Sequence, residues 1–194
     1  MRGNAAEYYN IISFIKEIER LKNITRTAWT SEKRQESVAE HSWRLAMYAF
    51  VLGDYFPDYD MAKAVQLSLI HDMGEAFEGD ISAKLEVDQK QKLKTEEYAM
   101  NTITATLPEP IRTRIMELWW EYNLGETKEA KLVKAIDKME TIIQHNQGDN
   151  PANFDYEFNL AYGKKYAEFD PIIQAIRSLI DGDTSLKIRR THFG

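Results

Sequence analysis

Three ionisable residues of this 194-residue chain fall where helix packing normally puts hydrocarbon. In Ile70-His71-Asp72-Met73-Gly74-Glu75, His71 follows Leu67 by four residues and shares the apolar face drawn by Ala64, Leu67 and Ile70. Asp72 and Glu75 stand on the flank of that face, one turn apart. His41, in Glu40-His41-Ser42, sits one turn inside an earlier helix, beside Leu45. Asp137 borders a stripe of Leu132, Val133, Ile136 and Met139 in a long later helix. Taken singly, each has a plain structural reading: a satisfied core histidine, or a solvated carboxylate. Together they mean more, because a buried carboxylate is costly unless paired or bound to metal. One inward-leaning ionisable side chain from each of three helices is what a metal centre inside a bundle needs. The chain has no cysteine, so any such ion takes nitrogen and oxygen ligands, which suit Mg²⁺, Mn²⁺, Fe²⁺, Co²⁺ or Zn²⁺.

The elements that must position these residues read as helices almost throughout. Ile11, Ile12, Ile15 and Ile18 recur at helical spacing and predict a helix from Tyr8 to Leu21, with Lys16, Glu19 and Arg20 outward. Lys22 to Glu36 reads as a long polar loop holding Arg26, Trp29 and Arg34, and loops of that length are often functional. Ser37-Val38-Ala39-Glu40 fits a capping box and opens a helix through Leu45, Ala49 and Leu52 to about Tyr55. A further helix is expected from Asp58 or Asp60 to Ala76, ended by Glu78-Gly79-Asp80. Others follow from Asp88 to Leu107, from Pro108-Glu109-Pro110 to Tyr122, and from Lys128 to Gln147. Gly148-Asp149-Asn150-Pro151 is a break. The last helix covers Pro171 to Ile180, and Lys187 to Gly194 is expected to fray. No repeat, linker or second domain is visible. The expected fold is all-α, one domain over residues 1–194 with its core at about 11–180 and the metal site among the central helices.

Composition narrows the function classes. Hydrophobic residues make up 43% and charged residues 29%, the balance of a globular domain able to bury a core. A net charge of −6 offers no general basic surface. That argues against a nucleic-acid polymer as partner while leaving room for a local pocket for one phosphate. No apolar run is long enough to span a bilayer. The amphipathic opening segment predicts no secretory signal, so a cytoplasmic location without membrane contact is expected.

The order His41, then the adjacent pair His71-Asp72, then Asp137 resembles the H…HD…D signature of the HD superfamily of metal-dependent phosphohydrolases. The likeness extends to Arg26, Glu36-Ser37-Val38-Ala39-Glu40-His41-Ser42, His71-Asp72-Met73-Gly74-Glu75 and Glu78-Gly79-Asp80-Ile81. These are similar in order and spacing to the YfbR-like 5′-deoxynucleotidases, their eukaryotic members especially, and the likeness covers roughly Ile11 to Ile180. The resemblance implies an HD-domain helical bundle in which His41, His71, Asp72 and Asp137 bind one divalent cation. It implies that Glu75 orients or deprotonates the attacking water, in a catalytic set with Arg26 and Asp72. Arg26 would orient the substrate phosphate through its forked guanidinium. Glu75, Asp80 and the backbone carbonyl of Ile81 would hold a second ion such as Mg²⁺. Arg26, Trp29, Asp80 and Ile81 make up the substrate side.

The chain departs from the bacterial pattern just after the arginine. Bacterial members carry a tryptophan there, packed against the sugar; here Thr27 takes that place and Trp29 comes two residues later. The choice of deoxyribose over ribose is therefore left open. The implied reaction is hydrolysis of a deoxynucleoside 5′-monophosphate by a homodimer. Alternatives are other HD activities, on a cyclic nucleotide, a nucleoside triphosphate or a guanosine alarmone, and a metal protein that senses a nucleotide without turnover. His145 reads as a helix-end histidine, His192 lies in the tail expected to fray, Trp119, Trp120 and Tyr122 read as core or interface, and Glu86 to Glu97 as a solvated helix face.

Overall fold

The computed structural model describes residues 4–80 and 88–193. α1 (Ala5–Glu17) and α2 (Arg20–Asn23) lead into a small antiparallel ribbon, β1 (Thr25–Trp29) and β2 (Gln35–Ser37). α3 (Val38–Val51), α4 (Met61–Ile70), α5 (Gln89–Thr104) and α6 (Glu109–Leu124) follow. α7 (Lys128–Gln147), the short α8 (Glu157–Ala161) and α9 (Pro171–Phe193) complete the described chain. Single 3₁₀ turns lie at Gly53–Tyr55, Met73–Ala76 and Lys164–Ala167.

α7 is the axis of this all-helical body. Its Leu132, Val133, Ile136 and Met139 recur at helical steps and are fully buried, and α3, α4, α6 and α9 all pack against it. Leu45 and Ala49 of α3, Ala64 and Leu67 of α4, and Ile173 and Ile180 of α9 close the core around that stripe. Each large side chain so buried contributes roughly 1.5–3 kcal/mol, which fixes the rotation of α7 about its own axis. A second core joins Leu21, Val38, Met73, Met100, Ile103 and Trp119. The helix starts follow their caps. The Ser37 hydroxyl accepts from the Glu40 amide at 3.2 Å and Glu40 Oε2 accepts from the Ser37 amide at 2.8 Å, the expected capping box. Asp60, Asp88 and Thr127 cap α4, α5 and α7.

Several segments differ from the sequence reading. Residues 22–36 are not one loop: Thr25 pairs with Ser37 and Trp29 with Gln35, with a bulge in β1 between those pairs. A buried charge, Arg26, in so short a strand hides its period of two. The helix expected to reach Ala76 stops at Ile70, and Asp72 takes φ −101°, ψ 10° before a 3₁₀ turn. Adjacent side chains on an α-helix point apart; the tighter turn instead sets Asp72 Oδ2 3.0 Å from His71 Nε2. None of the residues of α1 is buried, and Ile12 and Ile15 stay exposed. The apolar spacing there describes a real stripe, but only its Phe14 edge meets the second core.

The C-terminal region is also more ordered than expected. α9 runs to Phe193 instead of stopping at Ile180 and fraying from Lys187. Thr184 is fully buried there and exchanges hydrogen bonds of 2.9 and 3.2 Å with Asn146 of α7. α8 was not anticipated. Buried Arg177 donates to the carbonyls of Asn159, Leu160 and Tyr162, groups that so short a helix leaves unpaired. Gly182 sits exposed within α9, and a Cβ there would meet nothing within 4 Å. Gly182→Ala should therefore stabilise the protein by about 0.5–1 kcal/mol, read by denaturant unfolding. A neutral result would mean that the helix does not persist beyond Ile180.

Candidate metal and phosphate site

His41 and His71 reach one point from two helices. His41 of α3 is fully buried, and its Nδ1 bonds Glu140 of α7, which Arg44 Nε holds in turn. His71, at the end of α4, donates from Nδ1 to the Ser68 carbonyl at 2.9 Å. Both bonds turn Nε2 toward the centre, the orientation that second partners impose on metal-ligating imidazoles. Among the described residues neither Nε2 has a hydrogen-bond partner, although both atoms are buried. Burial and Arg26 oppose a proton on His41, but Glu140 and Asp137 outweigh them and push its pKa up to about 10. The surroundings of His41 thus demand a cation at this point, either a proton or a metal.

Two carboxylates complete the cluster. Asp72 Oδ2 lies 3.0 Å from His71 Nε2 and 3.7 Å from His41 Nε2. Asp137 Oδ1 lies 3.2 Å from His41 Nε2 and 4.0 Å from His71 Nε2. Donors about 2.0–2.2 Å from one ion stand roughly 3–4 Å from one another; His41, His71 and Asp137 are grouped closely enough to hold an ion, and Asp72 Oδ2 lies beside both imidazole nitrogens. The other oxygen of Asp137 is occupied: the Tyr122 hydroxyl donates to Oδ2 at 2.6 Å and Lys138 Nζ at 2.8 Å. Burial would raise both acids. His71, His41 and Arg26 instead hold Asp72 below the carboxylate range, and Lys138 with the two histidines does the same for Asp137.

Arg26 and Glu75 stand beside the cluster. Arg26 Nη1 donates to Asp72 Oδ2 at 3.3 Å, Nη2 donates to the Thr141 hydroxyl at 3.0 Å, and Nε faces Glu36 Oε2 at 3.4 Å. Burial works against its charge, but Asp80, Asp72, Glu140 and Asp137 keep it protonated. Its carboxylate contacts, at 3.3 and 3.4 Å, are longer than the roughly 2.7–2.9 Å of tight charge-assisted bonds. Glu75 is buried, its Oε2 has no hydrogen-bond partner among the described residues, and Lys92 Nζ is 3.7 Å from its Oε1. Burial, then the charges of Asp72 and Asp80, raise its pKa well above the ordinary value, the direction a general base near neutrality needs.

A cavity of about 490 Å³ opens over these groups, lined by Arg26, Asp72, Glu75, Asp80 and Asp137 at one end and by Trp29 on a wall. That volume suits a small molecule. The structure therefore brings together His41, His71, Asp72, Asp137, Arg26 and Glu75, and sets Asp80 and Trp29 on the same cavity. The bulge in β1 explains how Arg26 and Trp29, of opposite strand parity, both address it. Ile81 lies outside the described residues. Sequence reading missed Glu140, Arg44, Tyr122 and Lys138. Glu140 was findable, because it follows Val133 by seven and Ile136 by four residues on a buried stripe. His145, read as structural, lines the same cavity.

A family model for the HD domain matches residues 18–177. The human protein named 5′-deoxynucleotidase HDDC2 is 37% identical over 140 residues, covering 71% of this chain and 68% of its own. The Bos taurus protein of the same name is 36% identical over 155 residues, 79% of this chain and 74% of its own. A solved structure described as a predicted metal-dependent phosphohydrolase from Magnetospirillum magnetotacticum has a TM-score of 0.75 at 26% identity. That match covers 95% of this chain and 94% of the other. With His41, His71 and Asp137 grouped as a possible metal site, Asp72 beside both imidazoles, and a family match over most of its length, the chain belongs to the HD-domain superfamily of metal-dependent phosphohydrolases, on the branch of the 5′-deoxynucleotidases.

Proposed function

We propose that this protein is a metal-dependent 5′-deoxynucleotidase that hydrolyses deoxynucleoside 5′-monophosphates to a deoxynucleoside and inorganic phosphate. One observation carries the reading. Two buried imidazole nitrogens, without hydrogen-bond partners among the described residues, meet Asp72 and Asp137 beneath a cavity that Arg26 and Glu75 share. The names of the relatives support the substrate class.

His41, His71, Asp72 and Asp137 would hold the principal ion. A divalent cation there polarises a phosphoryl oxygen and acidifies a water. Arg26 exchanges its long contact with Asp72 for two phosphate oxygens, while Thr141 keeps the guanidinium plane fixed. Glu75 takes the proton of the attacking water, and Lys92 helps to keep the carboxylate charged once the site is loaded. Tyr122 and Lys138 confine Asp137 to one ligand oxygen, and Glu140 fixes the ring of His41. A second ion is assigned to Glu75 and Asp80, whose mutual repulsion contributes to the raised pKa of Glu75.

Phosphate release from matched deoxy- and ribonucleoside 5′-monophosphates tests the reaction. Protein stripped with chelator should be silent, and Mn²⁺, Co²⁺ or Mg²⁺ should restore release from the deoxy series. Glu75→Gln should lower kcat by about 10²–10⁴-fold and still bind nucleotide; full activity in that variant would remove Glu75 from its role. Equal release from both series would leave a nucleotidase without sugar selectivity.

The support that Glu140 gives His41 has its own readout. Glu140→Gln should weaken metal binding by about 10–100-fold in calorimetry, with an unchanged far-UV spectrum. Unaltered metal affinity would show that the orientation of His41 does not depend on this carboxylate.

A homodimer belongs to the same reading. Tyr9, Ile12 and Ile15 leave an apolar stripe of α1 open, the kind of patch that marks a protein interface. Sedimentation should show a dimer that Ile12→Glu with Ile15→Glu converts to monomer. A monomeric parent protein would end that part of the reading.

A further inference from the structure

A phosphate can be gripped only by those N–H groups of Arg26 that face the cavity. Behind Arg26 stands Glu36 of β2, a carboxylate only 3% exposed. Among the described residues the cavity lining includes Arg26 but not Glu36. Thr25 pairs with Ser37 across the ribbon, so Arg26 and Glu36 come next on the two strands, and both are buried. Side chains opposite each other on an antiparallel pair share one face. The neighbouring Gln35 donates to the Arg26 carbonyl at 3.1 Å, which holds the backbone of the arginine in place.

Arg26 Nε and Glu36 Oε2 face each other at 3.4 Å, and among the described residues neither buried atom has a hydrogen-bond partner. That separation is roughly 0.2–0.5 Å longer than an ordinary N–H···O bond. The carboxylate is costly to keep there. Ligand atoms of Glu36, His41 and Glu140 lie within 4.8 Å of one another, so two buried carboxylates stand close together. An apolar side chain in place of a buried charge is often neutral or stabilising. The other charged groups nearby are committed elsewhere. His41 Nδ1 bonds Glu140, and Arg44 donates to the Glu140 carboxylate and carbonyl and to Gln147. Arg26 is the group that Glu36 serves.

We propose that Glu36 is a positioning residue for Arg26, whose Nε edge it takes from behind the cavity so that the Nη edge is turned to the phosphate. With Nε on Glu36 and one Nη2 hydrogen on Thr141, the N–H groups left over lie on Nη1 and Nη2. Those two nitrogens can meet two phosphate oxygens in a fork. Without the Nε contact the guanidinium plane is free to swing about its bond to Thr141, and small misplacements of such a group are costly. The inference rests on the reading of Arg26 as the phosphate ligand and deepens it by naming what orients that side chain.

Calorimetry with inorganic phosphate on Mn²⁺-loaded protein tests this without turnover. Glu36→Met, of similar length but without the oxygen, should weaken phosphate binding about 10- to 100-fold, the weight of one hydrogen bond to a charged group. Glu36→Asp draws the oxygen back by one methylene; it should lose at least about threefold, and it guards against misfolding of the Met variant. Glu36→Gln keeps an acceptor for Nε and should stay within about threefold of the parent. In an Arg26→Lys background Glu36→Met should change affinity by less than about threefold, because an ammonium has no plane to orient. Equal losses in the two backgrounds would reveal a merely structural role and overturn the proposal. Full affinity in both Glu36→Met and Glu36→Asp would overturn it as well, as would a Glu36→Gln variant as weak as Glu36→Met. An Arg26→Lys protein that binds phosphate like the parent would instead remove Arg26 from the phosphate site, and Glu36 with it. Failure of the nucleotidase reading appears separately, as absent phosphate release from nucleotides by the wild-type enzyme, and leaves this cycle measurable.

Discussion

The structure depends on a buried cluster of charge that no single helix could stabilise. Removing a carboxylate or an imidazolium from water costs several kcal/mol unless a partner is placed with good geometry. Here several of the decisive partners lie on other elements, beside the local contacts of Lys138 with Asp137 and of His71 with the Ser68 carbonyl. His41 of α3 is held by Glu140 of α7, Asp137 of α7 by Tyr122 of α6, and Arg26 of β1 by Thr141 of α7. A shift of any helix would leave a buried charge or hydroxyl unpaired. Burial of the apolar stripe of α7 sets its rotation, and the polar contacts then fix which atom of each side chain meets the centre. The bundle and the site are one arrangement seen from two sides.

α7 also explains why the cavity has two ends. One helix contributes Asp137 and Lys138, then Thr141, then His145 along the same cavity, so polarity falls along its length. β1 repeats the gradient from Arg26 to Trp29 because it is tied to α7 at Thr141 and Gln144.

Much of this was legible in residue spacing, and what was not has a common cause. Ser37, Thr127 and Gly148 mark helix ends through local hydrogen bonding, so α3 and α7 could be placed in advance. The inward lean of His41, His71 and Asp137 follows from their neighbours on the same helix. Tyr122 and Lys138 were invisible as partners of Asp137, because periodicity describes one helix at a time and not its rotation against the next. α1 shows the opposite limit: its apolar stripe was readable, whereas the absence of a core over Ile12 and Ile15 was not.

Charge balance in the cavity adds a constraint on the order of events. Three cationic side chains line it, Arg26, Lys92 and Lys138, among the described residues. Each is already committed: Lys138 to Asp137 at 2.8 Å, Lys92 to Glu96 at 3.2 Å, and Arg26 to Asp72 and Glu36. Asp80 adds a further carboxylate to the lining. Among the described residues, a phosphate dianion would thus meet carboxylates and cations that already have carboxylate partners. A divalent cation held by His41, His71, Asp72 and Asp137 would add positive charge a few ångströms from such a phosphate, an attraction of several kcal/mol in a partly desolvated site, so substrate affinity would rise with cation loading. The acidic composition of the whole chain is then compatible with a phosphate ligand, because the charge that meets the phosphate would be set locally and not by the net charge.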